Sequence, residues 1–175
     1  MDPPGGPLFK PKHNLKILQW NCHSITTRFA EFKNYLNKTP DSPDIICLQE
    51  TFLKNKHKFV LPNYNVVRRD RPETKQNGGL LTLIKRGITY TEETAAQNVE
   101  EISVTITVQN QKIVITNLYN PPGTDIDKNI YNNLAARNNV ILLGDFNSYS
   151  SLWGGLHTDK NGEILEEIID ENDLI

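Results

Sequence analysis

Five residues scattered along this chain share one circumstance: each ends, or closely follows, an apolar segment that does not need it. Leu15–Trp20 stops at Asn21, and Ile45–Leu48 stops at Gln49-Glu50. Lys112–Leu118 gives way to Tyr119-Asn120-Pro121-Pro122, and Val140–Leu143 to Gly144-Asp145-Phe146-Asn147. Asn21, Glu50, Tyr119, Asp145 and Asn147 together offer two amides, two carboxylates and a phenol. Oxygen donors of this kind suit a hard divalent cation and a phosphate; zinc prefers nitrogen and sulfur. Taken singly, each has a plainer reading. A strand ending in Asn or Asp is ordinarily just turning. Gln49-Glu50 reads equally as a helix cap or a surface pair, and Tyr119 as the aromatic anchor of a rigid loop. The conjunction points to chemistry, because catalytic groups in layered α/β folds gather where a rigid strand releases the chain.

The elements that must position these residues are legible from periodicity. Leu15–Trp20 alternates as a strand. Ser24 is expected to cap a helix whose apolar positions are Ile25, Phe29, Phe32, Tyr35 and Leu36, ended by Pro40 and Pro43. Asp44–Leu48 reads as a strand buried on both faces. Leu80–Ile84 and Ile88–Thr91 are separated by a tight turn at Lys85–Gly87, and Gly78-Gly79 mark a close backbone approach. Ile102, Val104, Ile106 and Val108 alternate with polar residues, and Asn110-Gln111 turns the chain into Lys112–Leu118 as a hairpin. Asp125–Arg137 reads as a helix, Val140–Leu143 as another buried strand, and Asp145–Asn161 as a loop. Ile164, Leu165, Ile168 and Ile169 then recur at helical spacing among acids, and the final Asn-Asp-Leu-Ile resembles the start of a strand. The expected fold class is α/β (α+β): two sheets packed face to face as a β-sandwich, flanked by helices. Residues 1–13 read as a flexible leader to a domain over residues 14–175.

With 175 residues, 37% of them hydrophobic, and a mean hydropathy of −0.50, the chain can bury one sizeable core. The longest apolar runs, Ile45–Leu48 and Val140–Leu143, are far too short to span a bilayer, and the N-terminus lacks a signal peptide's apolar stretch. An intracellular protein without membrane spans is expected. Cys22 and Cys47 sit in strand-like sequence and read as buried reduced thiols rather than a disulfide. A net charge of −2 excludes a protein that holds polyanions by overall charge. Its distribution is uneven: residues 54–75 carry a net +5 and residues 159–173 a net −6. The basic stretch, with Arg68, Arg69 and Arg71, reads either as a local contact for a phosphate backbone or as a solvated loop. The acidic one is an amphipathic surface helix.

At this point the motifs resemble a known superfamily. "LQWN" at 18–21, "ICLQET" at 46–51, "NGGLLTLIK" at 77–85, "ITNLYNPP" at 115–122 and "LLGDFN" at 142–147 resemble, in order, those of the endonuclease/exonuclease/phosphatase fold. "YNPP", "GDFN" and "LWG" at 152–154 are similar to the apurinic-like endonuclease domain of non-LTR retrotransposons of the jockey-like kind. The resemblance implies a four-layer fold and phosphodiester hydrolysis with Mg²⁺ or Mn²⁺. It makes Glu50 the principal metal ligand with Asn21 beside it, and Asp145 the carboxylate that orients or activates water. Asn147 becomes a donor to the scissile phosphate, and Tyr119 stabilises charge there. The implied partner is double-stranded DNA, nicked in the nucleus so that a 3′ hydroxyl primes a reverse-transcriptase domain in the full-length element. Arg68, Arg69 and Arg71 are DNA-facing candidates on charge.

The sequence also departs from the family. No Ser-Asp-His motif precedes Ile175, so the fold is expected to be incomplete at its C-terminus and activity reduced or absent. Of the four histidines, His13 and His57 read as solvated, His23 as a neighbour that could border the site, and His157 as a surface residue. "SYSSLWGG" at 148–155 lacks the paired histidines that relatives show after "GDFN". Competing readings keep the fold with RNA, a phospholipid head group or an inositol phosphate as substrate, or make the chain a non-catalytic relic.

Overall fold

Two four-stranded sheets face one another, each with one parallel pair of strands at an edge. They are seen in a computed structural model that describes residues 14–72 and 77–174; the expected leader, His13 and Lys75 lie outside the described residues. The first sheet has the order β1 (Ile17–Asn21), β2 (Ile45–Gln49), β4 (Leu80–Lys85), β3 (Tyr64–Arg69). The second runs β5 (Tyr90–Glu92), β6 (Glu100–Val108), β7 (Gln111–Tyr119), β8 (Val140–Asp145). β1 pairs with β2 in parallel, as β7 does with β8, and the remaining pairings are antiparallel.

Every residue of β2 is buried, and the reason is layering. Ile46 and Leu48 point outward beneath α1 (Ile25–Lys38), against Ile25 and Phe32, while Ile45 and Cys47 point inward at Val104, Ile106 and Ile115 of the second sheet. A strand covered on both faces has no polar face to show, hence the continuous apolar run. On the far side, α2 (Lys128–Ala135) and α3 (Lys160–Glu171) cover the second sheet through Tyr131, Leu134 and Ile168 against Leu118. The layers therefore run helix, sheet, sheet, helix, with each fully buried Leu, Ile or Phe contributing about 1.5–3 kcal/mol of apolar burial. No helix among the described residues is long and apolar enough to cross a membrane.

Several local expectations need correction. Ser24 precedes α1 but does not cap it: its φ is 83°, and its hydroxyl meets Thr26 rather than a backbone N–H. The basic stretch contains a strand, β3, which the sequence reading left out because Tyr64-Asn65-Val66-Val67 does not alternate. The turn expected at Lys85–Gly87 is present, Ile88 N–H donating to the Lys85 carbonyl (3.2 Å), and it leads from β4 in one sheet to β5 in the other. β8 is not buried but a sheet edge, with Ile141 36% exposed. The long hairpin is present, its two-residue loop at Gln109-Asn110 one place earlier than expected; both residues have positive φ, 51° and 65°, which fits the right-handed twist of the strands. Residues 172–174 close α3 rather than opening a strand: Leu174 N–H donates to the Ile169 carbonyl, and Leu174 packs on the cluster beneath α3.

Candidate active site

The parallel pairs explain why the polar strand ends meet. In a parallel pair both C-terminal ends lie on the same side, so Asn21 sits opposite Gln49 and Tyr119 opposite Asp145. Face-to-face packing brings the two ends together, β1 running beside β8 and β2 beside β7. The sheets are keyed just beneath the site by two buried amides, Gln49 and Asn117, with the exposed Gln19 at the outer end of the chain. Gln19 Nε2 donates to Gln49 Oε1 (2.6 Å), Gln49 Nε2 to Asn117 Oδ1 (2.6 Å), and Asn117 Nδ2 to the Leu81 carbonyl (2.9 Å). Gln49 and Asn117 are 0% exposed, so each donor lost here would leave a buried group unsatisfied.

All five predicted residues converge. The Asn21 amide donates to Glu50 Oε1 (2.9 Å) and to Asp145 Oδ2 (2.6 Å), bridging carboxylates 95 positions apart in the sequence. Tyr119 OH donates to Glu50 Oε1 at 3.0 Å. Asn147 N–H donates to Asp145 Oδ1 (3.1 Å), while its side-chain amide donates to the Asn120 carbonyl (2.9 Å). Burial pushes the Glu50 carboxyl upward, but the hydrogen bonds from Asn21, His23 and Tyr119 outweigh it and hold the carboxyl below its ordinary value of 4.5. Burial first, then the bond to Glu50, push the Tyr119 phenol well above its ordinary range, so it serves as a donor.

His23 belongs here too, and the sequence reading gave it only a border role. Its Nδ1 lies 2.9 Å from Glu50 Oε2, and its ring meets Phe52 edge to face with centroids 5.0 Å apart. The signal was thin because His23 follows the strand end in a turn, where φ is 40°. Glu50 and Phe52 also have positive φ, 52° and 54°, and the chain there is tied by Ser24 N–H to the Glu50 carbonyl (2.8 Å) and Thr51 N–H to the Gly79 carbonyl (3.1 Å). Such conformations in non-glycine residues persist only where neighbours hold them.

The remaining histidines are elsewhere. His57 is half-buried rather than solvated, its Nδ1 accepting from Lys54 N–H at 3.0 Å. His157 is exposed and stacks on Tyr149 at 5.5 Å. The three arginines divide. Arg68 is absorbed by Asp70 and by the carbonyls of Lys54 and His57. Arg69 donates to the Glu101 carbonyl (3.0 Å), and Arg71 pairs with Glu100. Arg69 and Arg71 line a cavity of about 400 Å³ with Tyr119 on its wall. On the other side, Asn21, Asp145, Asn147, Tyr149 and Trp153 line an open groove of about 1360 Å³.

Comparison with known proteins bears on the family and the fold. The model of the Endonuclease/Exonuclease/phosphatase family matches residues 18–172. The "RNA-directed DNA polymerase from mobile element jockey" of Drosophila melanogaster is 24% identical over 161 residues, 89% of this chain but 17% of that polypeptide. Among solved structures, the endonuclease domain of TRAS1, a telomere-specific non-LTR retrotransposon, superposes with a TM-score of 0.72 at 17% identity, over 90% of this chain and 71% of that one. An AP endonuclease from Archaeoglobus fulgidus superposes with a TM-score of 0.59 at 18% identity, over 90% and 71% of the two chains.

Proposed function

The chain belongs to the endonuclease/exonuclease/phosphatase family, and from that premise we propose that it forms the Mg²⁺- or Mn²⁺-dependent DNA-nicking domain of a non-LTR retrotransposon polypeptide that also carries a reverse transcriptase. The observation that carries this reading is the Asn21 amide joining Glu50 to Asp145 at 2.9 and 2.6 Å, at the mouth of an open groove. It favours a retroelement DNA nuclease because the chain aligns over nearly its whole length with the jockey polypeptide and superposes on the TRAS1 domain.

The donors fit a hard cation. Among the described residues no three His, Cys, Asp or Glu side chains form a metal-holding group. The ion would be held by Glu50 and by Asn21 through its Oδ1, which here accepts from the His23 N–H (3.2 Å), with water completing its shell, as Mg²⁺ accepts and zinc does not. Bound there, it would polarise the phosphoryl oxygen and neutralise the departing alkoxide. The chain's own residues do the rest. Asp145, oriented by Asn21 and by the Asn147 N–H, accepts a hydrogen bond from the attacking water. The second hydrogen of the Asn147 amide, and the Tyr119 hydroxyl once turned from Glu50 to substrate, would donate to oxygens that gain charge, each such fixed donor being worth on the order of 3 kcal/mol of barrier. His23 steadies the outer oxygen of Glu50.

Two measurements test the proposal. Titration of the chain with Mn²⁺ should show one site, lost in Glu50→Gln. Nicking of supercoiled plasmid by the polypeptide containing this chain should require Mg²⁺ and fall at least about a hundredfold in Glu50→Gln and Asp145→Asn. Cation binding that survives Glu50→Gln would refute the site. Preferential hydrolysis of RNA, phospholipid or inositol phosphate would keep the site and replace the substrate.

A further inference from the structure

Resting on the proposed role of Tyr119, we infer that Arg71 and Glu100 form a clamp that positions the Tyr119 phenol against Glu50, making Arg71 a positioning residue rather than a contact for DNA phosphate. Glu100 is the cross-strand partner of Tyr119 in the β6–β7 ladder, so its side chain emerges directly beside the ring. Its two carboxylate oxygens are divided: Oε1 accepts from Arg71 Nε, and Oε2 accepts from Gly79 N–H at 3.1 Å. Held this way, the guanidinium carbon lies 5.5 Å from the centroid of the Tyr119 ring, within cation–π range. The ring is 3% exposed, and its hydroxyl reaches Glu50 Oε1 at 3.0 Å.

Gly78 completes the device. Its φ is +73°, and a Cβ there would run into the Arg71 guanidinium, so only glycine leaves room for the arginine to lie over the ring. Gly78 and Gly79 also accept from the N–H groups of Phe52 and Thr51, immediately after Glu50. One glycine pair therefore sets both the loop that carries Glu50 and the cation that fixes its phenolic donor. The side chain of Arg71, 15% exposed and already ion-paired, is poorly disposed to meet a phosphate.

The test separates the clamp from a DNA contact and from the catalytic reading itself. Tyrosines of the chain are labelled with ring ¹³C, and the Tyr119 signal is identified by its loss in Tyr119→Phe. Arg71→Met and Gly78→Ala should both move that signal, and Arg71→Lys should restore it in part. In the cleavage assay both variants should lower kcat about 10- to 100-fold, the cost of a misplaced catalytic group, with the DNA Kd and its salt slope unchanged. Lys56→Met, at an exposed lysine, serves as a charge-matched control with an unmoved Tyr119 signal. A DNA-contacting Arg71 would instead weaken binding and reduce the salt slope by about one, overturning the inference. So would an unmoved Tyr119 signal in Arg71→Met. If the chain neither binds Mn²⁺ nor cleaves, the proposed function fails, while the Tyr119 signal still decides whether the clamp exists. Urea unfolding of Arg71→Met and Gly78→Ala confirms that the signals come from folded protein.

Discussion

Glu50 shows how this fold keeps a half-buried carboxylate charged. Removing it from water favours the neutral acid, and three donors from two distant places in the chain reverse that preference. The folded pKa therefore lies below the ordinary 4.5, so the associated stability is fully present above that value and is lost as pH falls through the lowered one. A carboxyl-¹³C titration should place Glu50 below 4.5 in the wild type and higher in His23→Ala, which removes a donor but leaves the burial; an unchanged titration would show that the imidazole does not hold the carboxylate. Asn21, Glu50, Tyr119 and Asp145 were legible because each interrupts an apolar rhythm. His23 was legible only as a neighbour of the site, and Glu100 and Asn117 were not legible at all. His23 lies in a turn with no rhythm to break, Glu100 opens a strand as any surface acid could, and Asn117 sits inside a strand whose polar member reads as facing water. It faces the other sheet instead.

At the level of elements, two helix starts make a useful contrast. Asp127 caps α2 by accepting from Asn129 N–H (3.0 Å) and Ile130 N–H (3.2 Å), so Asp127→Ala should cost about 1 kcal/mol in urea unfolding. Ser24 caps nothing and holds φ at 83°, a conformation that costs a non-glycine residue on the order of 1–3 kcal/mol. Ser24→Gly should therefore raise stability, whereas Ser24→Ala should not; equal effects of the two would mean that the backbone there is unstrained. Sequence alone could nominate a capping residue, but not the backbone angle that disqualifies it. That angle comes from the tie between Ser24 N–H and the Glu50 carbonyl, a contact across 26 positions. The same kind of distant cause hid β3. Its Tyr64, Val66 and Val67 each find a different neighbour, the tyrosine hydroxyl bonding the Pro43 carbonyl at 2.7 Å, so no simple alternation marks the strand.

For the molecule as a whole, the expectation of two facing sheets between helices matches the architecture, because continuous apolar runs and alternating ones report directly how many faces a strand buries. Which strand would stand at an edge was beyond such patterns: β8 is apolar enough to be central, yet pairs on one side only among the described residues. The thiols follow the layers. Cys22 and Cys47 are free and buried, and burial pushes both up to about 12. Both should resist a disulfide-exchange reagent at pH 8 until the protein unfolds, then react together, and reductant should leave the melting temperature unchanged. Early reaction of one thiol would reveal a local opening.

The amide chain from Gln19 through Gln49 to Asn117 has a consequence for how the protein comes apart. Asn21 and Glu50 ride on one sheet and Tyr119 and Asp145 on its opposite, and these amide side chains rivet the two plates one or two residues below them. Neither plate can slide without breaking bonds that water cannot reach to replace. The meeting of Glu50 with Asp145 and the integrity of the body should thus vanish together on heating, in one transition, with no warmed but intact form in which the two carboxylates have parted.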